Sequence, residues 1–219
     1  MYIVESVKSE GNVAQTITLS PKVGSKIRHI AGQFAYTHFY SKAVPTEEHH
    51  FTISSAPSEK KLQFTIKKLG DFTSQIHKVK KGEKIQLEGP YGVFSNAKMN
   101  GPFLFIAGGI GITPLRSMLK EMKISRNTQK TTLLYAANAK NEMVFYDELT
   151  KMSNEEWLDV QFFERRIDKE DIQKALTEMG NETKVFLCGP IPMMKAVEKM
   201  LDELHIPRRY VYTEKFALK

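Results

Sequence analysis

Five apolar residues, Phe103-Leu104-Phe105-Ile106-Ala107, run without a polar spacer into Gly108-Gly109-Ile110-Gly111-Ile112-Thr113-Pro114. A short strand that is apolar on both faces needs cover on both, which is the condition of a parallel sheet wrapped by helices. The glycines mark a sharp turn, and a proline in the first turn of the next helix suits its fixed φ. The segment departs from G-x-G-x-x-G because Pro114 stands where the third glycine would be. Taken alone it is either a backbone that approaches a pyrophosphate or an ordinary tight strand-to-helix turn. In either case Thr113 is expected to cap the helix.

The chain beyond Pro114 has the alternation that such a turn requires. Helices are expected over 114–123, 145–152, 169–179 and 191–204, and strands over 131–136, 159–163, 184–187 and 209–212. Strands alternating with helices argue a parallel sheet whose ligands lie at the carboxyl ends of its strands. The first half has no such alternation. Strands over 2–8, 13–19, 33–40, 50–54, 62–68 and 84–87 are separated by turn signals such as Glu10-Gly11-Asn12 and Lys81-Gly82-Glu83. Six strands with one helical patch near 72–79 suggest a small antiparallel barrel. The polar, turn-rich stretch Ser95 to Pro102 is the expected boundary, giving domains 1–97 and 98–219.

Composition narrows the class of function. The net charge of +7 is unevenly placed, with 13 basic and 8 acidic side chains in residues 1–97 and 19 and 17 in residues 98–219. That excess suits an anionic ligand, an acidic partner or an inner membrane surface, or it is simply a solvated surface. Nucleic acid is not expected, because the lysines are scattered and no recognised binding motif accompanies them. A single cysteine, Cys188, leaves no internal disulfide and no cysteine-ligated iron–sulfur cluster or zinc site, and no metal is expected. The longest apolar run is too short to span a bilayer, and neither a signal peptide ahead of the first strand nor an oxidising setting is expected.

Four further segments carry chemistry. Glu48-His49-His50-Phe51-Thr52-Ile53-Ser54-Ser55-Ala56-Pro57 is a strand with two adjacent imidazoles and a row of hydroxyls able to donate to a ring nitrogen or a phosphate. Lys68-Leu69-Gly70-Asp71-Phe72-Thr73-Ser74 puts a lysine, a glycine turn and two hydroxyls at a helix start, a candidate anion site. Gly89-Pro90-Tyr91-Gly92-Val93-Phe94 offers aromatics either to a planar ring or to the domain interface. Cys188-Gly189-Pro190-Ile191-Pro192 closes a buried strand and opens a helix, where a parallel sheet presents its ligand crevice.

In this order and spacing the motifs resemble the ferredoxin–NADP reductase superfamily over essentially the whole chain. The resemblance implies a β-barrel domain that binds FAD, or FMN as the alternative flavin, and an α/β domain that binds NADPH or NADH. The family's R-x-Y-S segment falls on His49 to Thr52, its flavin-phosphate segment on Gly70 to Thr73, and its nicotinamide motifs on Gly108–Pro114 and Cys188–Pro192. The terminal aromatic that shields the flavin falls on Phe216, preceded by Glu214. Most members have arginine where this chain has His49. The spelling H-H-F-T-I-S-S-A-P is similar to the H-P-F-T segment of NADPH oxidases and ferric reductases, with His50 in place of their proline.

By that resemblance the reaction is hydride transfer from NAD(P)H to flavin N5, followed by release of single electrons. Thr52 is the expected partner of N5, with Cys188, Glu214 and Phe216 completing the catalytic set. The implied cofactor-binding residues are His49, His50, Phe51, Thr52, Ile53, Ser54, Lys68, Gly70, Thr73 and Ser74 on the barrel. On the α/β half they are Gly108, Gly109, Gly111, Thr113, Pro114, Asn138, Lys140, Cys188, Gly189, Pro190 and Phe216. After the strand 131–136 no acidic residue stands within Ala137-Asn138-Ala139-Lys140, so both nicotinamides are expected to work. The oxidase-type spelling implies a haem-bearing transmembrane domain as partner, in the same parent chain or separate, with oxygen as final acceptor and superoxide as product. It also implies a monomeric domain on the cytoplasmic side of the cell membrane. A soluble NAD(P)H:flavin reductase, a ferric reductase, a reductase subunit of a multicomponent enzyme and a flavin-free binding module are the alternatives.

Overall fold

The computed structural model describes residues 1–180 and 182–215. The first half forms β1 (Tyr2–Glu10), β2 (Ala14–Pro21), β3 (Phe34–Tyr40), β4 (Glu48–Thr52), β5 (Leu62–Lys67), a short helix α1 (Asp71–Gln75) and β6 (Lys84–Tyr91). All pairings are antiparallel, in the order β4-β3-β6-β1-β2-β5. The two edge strands meet where Ile53 bridges Phe64 and the Ser54 N–H donates to the Gln63 carbonyl at 2.8 Å, which closes the sheet into the expected barrel. Inward residues Val4, Ile17, Leu19, Phe39, Ile53, Phe64, Ile66 and Ile85 make its core, with Phe72 and Ile76 plugging one end. Strand β6 runs four residues past its expected end. Tyr91 pairs with Phe34 after a register shift, so the ladder resumes beyond Gly89-Pro90, where proline offers no N–H.

The second half forms β7 (Phe103–Gly108), α2 (Ile112–Ser125), β8 (Thr131–Ala136), α3 (Tyr146–Met152), β9 (Leu158–Phe163), α4 (Lys169–Met179), β10 (Lys184–Gly189), α5 (Ile191–Glu203) and β11 (Val211–Lys215). The five strands are parallel in the order β11-β10-β7-β8-β9. Strands β7 and β8 are buried at every position, as a sheet covered on both faces demands. Phe105, Leu133, Tyr135 and Phe186 face α2 and α3, while Leu104, Ile106, Leu134 and Leu187 face α4 and α5. The chain runs β7 to β9 outward in one direction and then returns to the other side of β7 with β10. The gap between the ends of β7 and β10 is therefore the topological switch point, where open α/β sheets hold their ligands.

The barrel packs on the α2 face, with Ala14, Ala31 and Phe94 joining that half's core. Phe94 is 4% exposed and meets Phe186 edge-to-face at 5.4 Å, so of the two roles open to the Gly89–Phe94 segment this ring takes the interface. Among the described residues no helix is long and apolar enough to cross a membrane.

Candidate active site

The strand β4 sorts its side chains by alternation. Phe51 packs toward the barrel core and Ile53 lies within it, while His49, on the same face, stacks with Phe51 at 6.0 Å. His49 stacks on Phe72 at 4.0 Å and pairs with Glu47 at 3.0 Å, which places it beside the Gly70–Thr73 turn. His50, Thr52 and Ser54 point the other way. His50 lies edge-on to Phe34 and Tyr36, at 5.7 and 5.8 Å. Thr52 is 7% exposed, and among the described residues no hydrogen bond engages its hydroxyl. Its neighbours are committed. The Ser54 hydroxyl donates to the Gln63 carbonyl at 3.0 Å and lies 3.0 Å from the Thr65 hydroxyl, and the Ser55 hydroxyl accepts from Gln63 N–H at 3.0 Å.

Several expected binders are engaged within the protein itself. Ile53 and Ser54 are fully buried and close the barrel, so their side chains present nothing to a ligand. Thr73 accepts from both Leu69 and Gly70 N–H at 2.9 Å, so its hydroxyl stiffens the turn. The Ser74 N–H returns to the Gly70 carbonyl at 2.9 Å. Gly70 keeps an open face, with no atom of the described residues within 4 Å of where a Cβ would stand. Lys68 is exposed and spends its N–H on Val13. Its neighbour Lys67 reaches the other domain, with Nζ 3.8 Å from the Cβ position of Gly109. Strand period 2 could have singled it out, because Lys67 shares the outward face of Thr65, the partner of Ser54.

The glycine turn divides by role. A Cβ on Gly111 would stand 2.3 Å from the Cys188 carbonyl oxygen, and one on Gly108 2.3 Å from Met193 Sδ. Gly189 lies 3.1 Å from the Gly108 backbone by the same measure. These three glycines let α2, α5, β7 and β10 approach one another. Gly109, at φ +50°, faces open space bordered by Lys67, and it is the glycine suited to a ligand's close approach. Thr113 does not cap α2. The helix starts at Ile112, and the Thr113 hydroxyl donates to the Ile110 carbonyl at 3.0 Å from within the first turn, followed by the buried Pro114. Pro190 is exposed at the start of α5, where the first turn carries no acidic side chain.

Cys188 is fully buried in the core under α2, and burial, with the Glu214 charge second, pushes its thiol well above the ordinary range. It stays a protonated, space-filling group rather than a reactive one. Glu214 pairs in register with Cys188, and burial raises its carboxyl pKa. It stands at the end of β11, one strand from the switch point. Phe216 lies outside the described residues.

Asn138 and Lys140 stand apart from this cluster, beyond the end of β8. Carboxylates from outside the stretch Ala137–Lys140 come close to it. Glu164, just past the end of β9, accepts the Lys140 N–H at 3.1 Å, and Glu142 accepts from Asn138 at 3.1 Å. The Lys140 ammonium lies 4.5 Å over the Tyr146 ring.

The open faces of Gly70 and Gly109, the Thr52 hydroxyl, free among the described residues, and the Lys67 cation are the groups left available to a ligand here. Residues 7–95 match the FAD-binding domain family, and residues 105–199 match the oxidoreductase NAD-binding domain family. The chain is 29% identical over 188 residues to flavohemoprotein A of Dictyostelium discoideum, covering 78% of this chain and 47% of that protein. It is 26% identical to the reductase component of propane 2-monooxygenase from Rhodococcus jostii RHA1, covering 92% of this chain and 59% of that one. The chain thus spans about half the length of these curated relatives. The flavohem-like FAD/NAD-binding domain of nitric oxide dioxygenase from Vibrio cholerae O1 biovar El Tor shares the fold, with a TM-score of 0.85, 22% identity, and 98% and 97% of the two chains covered. With an FAD-binding half followed by an oxidoreductase NAD-binding half, the chain belongs to the ferredoxin–NADP reductase superfamily of FAD-dependent NAD(P)H oxidoreductases.

Proposed function

We propose that this chain is a reductase domain that takes hydride from NAD(P)H onto FAD and hands single electrons to a haem or iron–sulfur partner. The observation that carries the reading is the Thr52 hydroxyl, uncommitted among the described residues and facing outward on a strand of the half that matches an FAD-binding domain. FAD, when bound, supplies the acceptance of two electrons at N5 and their release one at a time. The chain's own residues bind and orient. Thr52 donates a hydrogen bond toward the flavin ring, and Phe51 and His49 line the side of the ribityl and phosphate groups, with the open backbone of Gly70 beside them. Gly109 lets the nicotinamide nucleotide lie close, and Lys67 balances its negative charge from the barrel side. Glu214 borders the same crevice.

Glu142 and Glu164, held beside Asn138 and Lys140 beyond the end of β8, would repel a 2′-phosphate bound there, so we expect NADH to be the better donor. For the acceptor, the H-H-F-T spelling at residues 49–52 favours a membrane haem and oxygen, with the domain on the cytoplasmic side. The likeness to a flavohemoprotein and to a monooxygenase reductase component favours a soluble haem or iron–sulfur acceptor equally. Stopped-flow reduction of the FAD-loaded protein, then mixing with haem and [2Fe–2S] acceptor proteins, tests the reading. Flavin reduction followed by acceptor reduction supports it. Failure of NAD(P)H to reduce the bound flavin refutes it.

A further inference from the structure

We infer that Arg116 is a positioning residue that fixes the nicotinamide turn against the flavin strand, an inference that rests on the reductase reading above. Arg116 stands one turn into α2, the helix that begins at the glycine turn, yet only 3% of it is exposed. A guanidinium that is so deeply buried has to spend its donors. Its Nε and Nη2 form a fork on Glu148 of α3, at 2.7 and 2.9 Å. Nη1 donates to the Ser54 carbonyl at 2.7 Å and to Glu59 at 3.0 Å. Lys120 sits within 4.0 Å of both carboxylates, and the Arg116 cation lies 5.0 Å over the Phe145 ring.

The pattern of partners is what assigns the role. Ser54 is two residues beyond Thr52, and the next carbonyl, Ser55, accepts the Ser117 hydroxyl of the same helix at 2.7 Å. Two consecutive residues of α2 therefore grip two consecutive carbonyls at the exit of the flavin strand. Farther along, Glu121 of α2 accepts both the N–H and the hydroxyl of Ser58. The Glu148 fork sets the guanidinium plane and so the direction of Nη1. The first turn of α2 cannot shift toward or away from Thr52 without breaking this set. Hydride transfer is sensitive to about an ångström of misplacement. Lysine keeps the charge and loses the fork.

The test uses Arg116→Lys, Arg116→Met and Glu148→Gln in the FAD-loaded protein. Three quantities are read: FAD affinity, the rate of flavin reduction in a single turnover against NADH concentration, and the charge-transfer absorption of flavin with nicotinamide. The expected result is FAD affinity within about twofold of wild type, a limiting reduction rate lowered about tenfold or more in Arg116→Lys and Glu148→Gln, and a weakened charge-transfer band. Half-saturation by NADH should change much less than the limiting rate. A lowered melting temperature with an unchanged limiting rate and band in these two variants would overturn the inference, whether or not Arg116→Met folds. Failure of the reductase reading is separately visible, because wild type itself would then show no flavin reduction.

Discussion

Replacing Gly111 with alanine isolates the close approach on which the nucleotide crevice depends. Gly111 has φ −60° and ψ −7°, a conformation open to any residue, so the substitution brings no backbone strain. Its effect is steric. The new methyl would stand 2.3 Å from the Cys188 carbonyl oxygen, 2.5 Å from its carbon and 2.7 Å from Gly189 N, all backbone atoms of a central strand. No rotamer relieves that contact, so the start of α2 has to lift from β10 by roughly 1 Å, against a well-packed core. Overpacking of this kind costs about 2–3 kcal/mol, which for a chain of this size is a loss of about 5–10 °C in melting temperature. The lift also moves the glycine turn away from the barrel, so the limiting rate of flavin reduction should fall by about two orders of magnitude. FAD affinity should barely change, because the barrel residues stay put. Thermal unfolding and stopped-flow reduction read these effects. A variant that melts within a degree of wild type and reduces its flavin at the normal rate would refute the packing role of Gly111.

His49→Arg should tighten FAD binding by about fivefold, the worth of one added charge-assisted hydrogen bond at a half-exposed site; unchanged affinity in a fluorescence titration would contradict it. Glu164→Gln should raise the efficiency of NADPH relative to NADH by about fivefold, since one unit charge near a 2′-phosphate in solvent is worth about 1 kcal/mol; steady-state kinetics with both donors decide it. His29 is buried with Nε2 on the Ser55 carbonyl at 3.1 Å and, among the described residues, no hydrogen-bond partner for Nδ1, and burial pulls its pKa below the ordinary 6.5. The unfolded chain then binds the extra proton more readily, so stability present above 6.5 is lost as pH falls toward the folded-state value. Urea unfolding across that window should show the slope in wild type and a flatter one in His29→Gln; equal slopes would remove His29 as its source.

The fold was legible wherever local pattern and tertiary demand coincide. Strand Thr131–Ala136 and helix Lys169–Met179 stand where the sequence put them. The helix does so because Asp168 accepts from the Asp171 N–H while the Asp171 carboxylate takes the Asp168 N–H, a reciprocal cap spelled three residues apart. The length of β6 was not legible, since Gly89-Pro90 reads as a stop and only the partner strand β3 carries the ladder past it. In the site, spacing located the glycines but not what each one faces, because Gly111 and Gly189 answer to backbone brought in from β10 and β7. Glu164 lies 24 residues from Lys140, beyond any local window. Arg116 did leave a trace. A charge between Leu115 and Ser117, on a helix that buries Ile112 through Leu119 without a break, has to be partnered inside.

If these two domains bring FAD and a nicotinamide together, hydride passes between them inside one chain. Loading the purified protein with FAD and titrating it anaerobically with NADH, while following the visible absorption of the flavin, reads that transfer without any acceptor protein. One FAD bound per chain and its full bleaching by about one equivalent of NADH are expected. Protein that retains no FAD, or whose bound flavin keeps its colour in excess NADH and NADPH, would show that the domains do not work as a reductase.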